Sequence, residues 1–209
     1  LVPIGDKYLF SDYDVCLNLG GFSNLSCEID NSRLAFDIGP CNIILNHLAQ
    51  KLGKNYDHDG LFGENGTVSS ELLKCLDSLD FYHMIPPKSL GREWFENIFL
   101  PTIDKFNISL EDKLRTVYEH ISNQICFTTN KIESKSILVT GGGAHNILLI
   151  HLLKQKSKQT IIVPDKDTID YKEALIFAFL GVLYVLQKPG ALSSVTGAKA
   201  DSISGCWYF

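Results

Sequence analysis

The chain has 209 residues, 45% of them hydrophobic and 21% charged, close to globular averages of about 45–50% and about 25%, which sets aside disordered, collagen-like and coiled-coil architectures. Lys and Arg number 19 against 24 Asp and Glu, a net charge of −5; with no long basic run, nucleic acid and anionic membranes are poor partners, because both need clustered cations. The length suits one large domain or a little less than two at roughly 100 to 200 residues each.

The opening Leu1-Val2-Pro3-Ile4-Gly5-Asp6 has neither an initiating Met nor the pattern of a signal peptide, so sequence is expected to precede it. Three short β-rich pieces follow, Val15 to Leu19, Asn24 to Ile29 and Leu34 to Phe36, separated by Gly20-Gly21 and by Asp30-Asn31-Ser32. Such punctuation predicts an antiparallel meander. Beyond Asp37-Ile38-Gly39-Pro40, apolar spacing predicts a helix from Asn42 to Ala49 that ends near Gly53, with Pro40 at its start. A polar stretch, Asn55 to Thr67, precedes helices expected over Ser69 to Leu79, from near Arg92, and over Leu110 to Thr129. Ser136 to Thr140 reads as a buried strand running into Gly141-Gly142-Gly143, then a helix from Asn146 to Leu153, a strand from Thr160 to Val163 and a hydrophobic helix from Asp170 to Gln187. Its apolar run, Ala174 to Leu186, is too short for a bilayer core of about 30 Å and predicts a buried helix in a soluble protein. Strands first, then alternating helices and strands, predict a three-layer α/β domain with a mixed sheet.

Six cysteines without a C-x-x-C pair predict reduced thiols rather than disulfides or zinc. Sequons at Asn24, Asn65 and Asn107 matter only in a secreted eukaryotic protein. Asp57-His58-Asp59-Gly60 lacks the spaced acids of a calcium loop, so no metal site is assigned there. The aromatic end Cys206-Trp207-Tyr208-Phe209 is expected to dock on the core as a strand or tail.

Two glycine turns at strand ends carry the chemistry: Asn18-Leu19-Gly20-Gly21-Phe22-Ser23-Asn24 and Thr140-Gly141-Gly142-Gly143-Ala144-His145-Asn146. Glycine lets backbone N–H groups approach an anion, and a following helix N-terminus adds positive potential. Each also has a plain structural reading, a tight hairpin for the first and a close helix-sheet turn for the second. Asp37 stands between a strand and a helix, where it could accept a proton from a sugar hydroxyl or a water, or simply cap the helix at Cys41.

Taken in order, these turns together with Phe36-Asp37-Ile38-Gly39-Pro40-Cys41-Asn42, Tyr56-Asp57-His58-Asp59-Gly60, Pro87-Lys88-Ser89-Leu90-Gly91-Arg92-Glu93, Glu173-Ala174-Leu175-Ile176-Phe177-Ala178 and Ser194-Val195-Thr196-Gly197-Ala198 resemble the anhydro-N-acetylmuramic acid kinase family across nearly the whole chain. The resemblance implies a ribonuclease-H-like three-layer domain, a mixed five-stranded sheet flanked by helices, forming one lobe of an actin-like ATPase fold. The family's N-terminal lobe, with its Gly-Thr-Ser-x-Asp-Gly phosphate loop, has no counterpart in residues 1–209, which would be the C-terminal lobe, inactive alone. Cys41 stands where the family usually has Gly.

The implied activity uses ATP and Mg²⁺ to convert 1,6-anhydro-N-acetylmuramic acid to N-acetylmuramic acid 6-phosphate, with water opening the anhydro bridge, in cytoplasmic bacterial peptidoglycan recycling. Similar kinases form homodimers. By the same resemblance Asp37 is the catalytic base. Asn18, Gly20 and Gly21 would cradle phosphates, and Gly141, Gly142, Gly143 and Ala144 would pack against the adenosine. Glu173, Asn42 and Arg92 would meet the sugar. For Glu173 the plain reading is an acid at a helix start, and for Lys88 and Arg92 surface solvation. Two rivals remain. One is a Rossmann-type dinucleotide binder using Gly141-Gly142-Gly143, with Asn146 at its third glycine position and Asp165 as the ribose acid. The other is a non-catalytic binding module derived from the lobe.

Overall fold

The computed structural model describes residues 1–206. Five strands form one mixed sheet in the order β3-β2-β1-β4-β5: β1 Val15–Leu19, β2 Phe22–Ile29, β3 Ser32–Pro40, β4 Ser136–Thr140 and β5 Thr160–Ile162. The first three are antiparallel, and β4 and β5 join β1 in parallel. The principal helices are α1 Val2–Leu9, α2 Asn42–Lys51, α3 Ser70–Asp77, α4 Leu110–Thr129, α5 Ile147–Lys156 and α6 Lys166–Val185.

Alternation along the strands sorts side chains to two helical layers. Val15, Leu17, Leu19, Ile137 and Val139 enter the main core with α2, α4 and α5, while Cys16 and Leu138 are buried on the other face, where α1 and α6 pack. Four of these six helices begin where a side-chain oxygen accepts an orphan amide: Ser69 from Leu72, Ser109 from Asp112, Asn146 from Leu149 and Asp165 from Thr168. The predicted mixed sheet, its meander and the helix over Leu110–Thr129 are as the sequence read them.

Three readings need correction, and one expected helix runs on further than read. Residues Val2–Leu9, given no element, form a helix, because Ile4 and Gly5 are buried and Gly5 leaves no room between α1 and Ile176 for a side chain. The third strand does not stop at Phe36 but runs to Pro40, so Pro40 does not start the helix. It closes an edge strand, the place where a residue without an N–H is tolerated. The helix placed near Arg92 continues through a π turn, Phe95–Phe99, into Leu100–Asp104. The last long helix is buried along a stripe only, at Ile169, Lys172, Ile176 and Leu183, and exposes Tyr171, Leu175, Phe177 and Val182. It packs from one side and leaves an apolar face exposed. Among the described residues no helix is long and apolar enough to cross a membrane. Residues 207–209 of the aromatic end lie outside the described residues.

Candidate active site

The parallel pairing of β1 with β4 sets Asn18 opposite Thr140, so the two glycine turns leave the sheet side by side. At Gly141 φ is +82°, a region L-residues rarely enter. A Cβ there would also overlap Asn18 Oδ1 and come within 3.0 Å of the Leu19 carbonyl. The first turn is bound to α2. Cys41 N–H donates to the Gly21 carbonyl at 2.8 Å, Asn42 N–H to the Gly20 carbonyl at 3.1 Å, and Asn42 Nδ2 to the Leu19 carbonyl at 2.8 Å. The opening amides of α2 are thus engaged within the chain. Cys41 is fully buried, and burial pushes its thiol up to about 12; with φ at −130° the position does not require glycine.

Three cavities share walls around these turns. The first, about 710 Å³, is lined by Asn18, Gly20, Gly141, Gly142, Lys172 and Glu173 among others. The second, about 650 Å³, lies beyond the second turn and includes Asn42, Tyr56, Gly142, Gly143, Tyr118 and Asn146. The third, about 220 Å³, holds Asp37 with Asn18, Asn24, Lys88, Ser89 and Lys172. Gly142 joins the first two, and Asn18, Asn24 and Lys172 join the first to the third.

Asp37 owes its orientation to a bulge. Asn24 pairs with Asp37 and Ser23 with Gly39, leaving Ile38 as an extra residue in β3, a device that re-aims side chains beside functional sites. Its backbone N–H donates to the Lys88 carbonyl at 2.9 Å, and its Oδ2 accepts the Leu90 N–H at 2.8 Å. Desolvation in this half-buried place raises its pKa above the ordinary 3.8, opposed by the Leu90 hydrogen bond. Capping is not its role: the residue lies inside a strand, and no side chain caps α2. A carboxylate held by a backbone N–H on the wall of a cavity can take a proton from a bound hydroxyl or water.

Asn18, Gly20, Gly141, Gly142, Gly143, Asn42, Asp37 and Glu173 thus come together on the cavity walls. Gly21 and Ala144 support the turns from behind: the Gly21 carbonyl accepts from Cys41 and Ile43, and Ala144, buried, donates its N–H to the Gly141 carbonyl at 2.9 Å. Arg92 stands apart, exposed on its helix with Nε 2.7 Å from Glu96 Oε1; its spacing from Glu96 suits an i,i+4 pair. Lys88, expected at the surface, is half-buried in the Asp37 cavity, where Nζ donates to the Phe81 carbonyl at 2.8 Å and burial lowers its pKa. Asp165 serves as the cap of α6 rather than as a ribose acid. Sequence reasoning missed Lys172, Asp6 and Asn24. For Lys172 a signal was available, since it falls on the buried stripe between Ile169 and Ile176.

Asp57 is engaged by its own chain: its carboxylate accepts from the Phe62 and Gly63 N–H groups and from the Tyr118 hydroxyl at 2.9, 3.0 and 3.1 Å. Asn146 Nδ2 donates to the Tyr118 hydroxyl at 2.8 Å. This knot shapes one wall of the second cavity.

A family model, Anhydro-N-acetylmuramic acid kinase, matches residues 1–209. Curated relatives of that name include one from Clostridioides difficile (strain 630), 33% identical, matched over 98% of this chain and 58% of its own length. Another, from Mannheimia succiniciproducens, is 34% identical over 96% of this chain and 59% of its own. The chain therefore spans a little under three fifths of these relatives. Among solved structures, the activator of the 2-hydroxyisocaproyl-CoA dehydratase from Clostridium difficile with bound ADPNP aligns at TM-score 0.53 and 14% identity, covering 89% of this chain and 67% of that one. Component A of the (R)-2-hydroxyglutaryl-CoA dehydratase from Acidaminococcus fermentans aligns at TM-score 0.51 and 14% identity, covering 83% and 63%. These likenesses bear on the fold alone, a mixed five-stranded sheet flanked by helices.

Proposed function

Because this chain belongs to the anhydro-N-acetylmuramic acid kinase family, we propose that it is the C-terminal lobe of a kinase that phosphorylates 1,6-anhydro-N-acetylmuramic acid with ATP. In the reaction a water gives a proton to Asp37 and its oxygen bonds to the anomeric carbon. The bond from that carbon to O6 breaks, and O6 takes the γ-phosphoryl group from ATP, releasing ADP and N-acetylmuramic acid 6-phosphate. The glycine turns at Gly20-Gly21 and Gly141–Gly143 bind the nucleotide. Mg²⁺ would neutralise charge on the phosphates and, as a hard cation, would take oxygen donors such as those of Glu173 and of Asp170, whose Oδ1 is 2.8 Å from His145 Nε2, on the wall of the first cavity. The product belongs to peptidoglycan recycling in a bacterial cytoplasm, and the enzyme works as a homodimer.

One observation carries the reading: the Asp37 carboxylate opens on a cavity that shares Asn18 and Lys172 with the cavity of the glycine turns. Base and phosphate cradle are neighbours, as phosphoryl transfer to a nascent alkoxide requires, and positioning of that kind contributes up to about 7–11 kcal/mol. A lobe that supplies one side of the cleft does not turn over by itself. The test is Asp37→Asn in the full-length protein. ATP binding is expected to stay within a few-fold of the parent by calorimetry, while turnover of the anhydro sugar falls by about 10²–10⁴-fold. Undiminished turnover would remove Asp37 from the role of base.

A further inference from the structure

Lys172 is 6% exposed, and lysine is almost never buried so deeply unless paired. Its Nζ lies 2.6 Å from Asp6 Oδ1 and 3.5 Å from Thr140 Oγ1. Asp6, also buried, accepts the Ser26 hydroxyl at 2.5 Å on its other oxygen, and Ser26 Oγ accepts from Arg33 Nη2 at 2.8 Å. Arg33 is 4% exposed, and its Nε has no hydrogen-bond partner among the described residues. Two buried cations are therefore linked to one buried carboxylate, Lys172 directly and Arg33 through the Ser26 hydroxyl. An excess positive charge in a low-dielectric setting is unfavourable until an anion meets it.

The geometry also says where that anion lies. An ammonium has three donors; Lys172 Nζ is ion-paired with Asp6, makes one long hydrogen bond to Thr140 Oγ1 and lies 5.1 Å from the Phe10 ring centroid, which leaves donor capacity for a further acceptor. Lys172 forms part of the wall of both the glycine-turn cavity and the Asp37 cavity, whereas Lys88 lines the Asp37 cavity alone. A cation common to both faces the path between them.

We propose that Lys172 is a further substrate-binding residue: its ammonium donates to an oxygen of the phosphoryl group as that group passes from the glycine turns to the acceptor beside Asp37, and Asp6 is the positioning residue that holds it there. The assignment rests on the kinase reading above. A fixed cation aimed at oxygens that carry charge in the transition state acts on the chemical step more than on ground-state binding.

The test uses the full-length protein with Lys172→Met, Lys172→Arg and Asp6→Asn. Steady-state kinetics, urea midpoints and calorimetry of ADP binding with and without orthovanadate, a phosphoryl mimic, are compared with the parent. Lys172→Met is expected to lower kcat roughly 100-fold or more, to leave KM for both substrates within about threefold, and to abolish the tightening of ADP binding by vanadate. Lys172→Arg should recover much of kcat, and Asp6→Asn should lower kcat without raising either KM. A kcat within about threefold of the parent alongside a lowered urea midpoint would make the pair a structural brace and overturn the proposal. So would a raised KM for the sugar at unchanged kcat, which would give the ammonium to the sugar's own carboxylate. If Lys172→Met does not fold, Asp6→Asn, which keeps the ammonium, decides by the same split between kcat and KM. If the parent itself does not phosphorylate the sugar, the kinase reading fails separately, and the vanadate comparison still decides whether Lys172 meets a phosphoryl group.

Discussion

Asn18 and Thr140 face one another across the parallel β1–β4 pair, and this single register brings two glycine turns distant in sequence to one edge of the sheet. Gly141 has to follow Thr140 because Asn18 Oδ1 occupies the space a side chain would need. Gly141→Ala is expected to destabilise the fold by about 1–3 kcal/mol, the range for a strained backbone conformation, and to weaken ATP binding by the full-length protein. At Gly142 a Cβ would meet Asn42 Nδ2 at 3.6 Å, an ordinary contact. Gly142→Ala should therefore stay within about 1 kcal/mol of the parent. Urea unfolding of the pair separates strain from mere loss of flexibility.

Burial holds the pKa of Asp37 above 3.8 against the pull of the Leu90 N–H. A base works ionised, so kcat/KM of the full-length enzyme should rise with pH to a plateau, with the midpoint of its acid limb above 3.8. A midpoint at or below the ordinary carboxylate value would count against Asp37 as the group observed. The same shift has a consequence for stability. A folded-state pKa raised above the unfolded one contributes stability at low pH that is lost as pH rises through it. Asp37→Asn should thus be at least as stable as the parent at neutral pH by urea midpoint, even as activity disappears.

His120 is 1% exposed, with Nδ1 2.7 Å from Asp77 Oδ1 and its ring packed edge-on to Tyr82 at 4.7 Å. Burial lowers its pKa below 6.5, outweighing the carboxylate that favours the charged form. The folded state binds the proton less readily than the unfolded chain, so the stability is present above pH 6.5 and drains away as pH falls below it. His120→Gln should lower the urea midpoint at pH 7 yet show a flatter decline between pH 6.5 and about pH 5. Parallel curves for variant and parent would sink this assignment.

The knot at Asp57 has three donors on one carboxylate, two from backbone and one from Tyr118. Asp57→Ala leaves them without acceptors in the interior, at about 1–3 kcal/mol for each donor that water does not reach. A loss of about 3 kcal/mol or more in urea unfolding is expected. Tyr118→Phe, which removes only the hydroxyl contacts, should lose about 1 kcal/mol.

Much of this architecture was legible in the chain itself. Alternating residues between Gly-Gly and Asp-Asn-Ser turns marked the meander, helical spacing marked Leu110–Thr129, and the glycine turns announced close backbone approach. These signals are local, carried by residues a few positions apart, and periodicity or turn chemistry suffices to read them. Helix α1 was not legible, because its hold comes from Ile176 against Gly5 rather than from its own propensity. Nor could local pattern place Arg92 away from the cavities, extend β3 to Pro40, or expose the outer face of α6.

By itself the sequence determined the strand meander, the later alternation of helices and strands, and which glycines can bring backbone near an anion. Only the tertiary structure decided that Asp37 turns on a bulge toward the Asn18 wall and that Lys172 meets Asp6 beneath both cavities. The reason is physical: strand register and helix docking are set by burial between segments far apart in the chain, and a side chain's partner is chosen by that packing rather than by its neighbours in sequence.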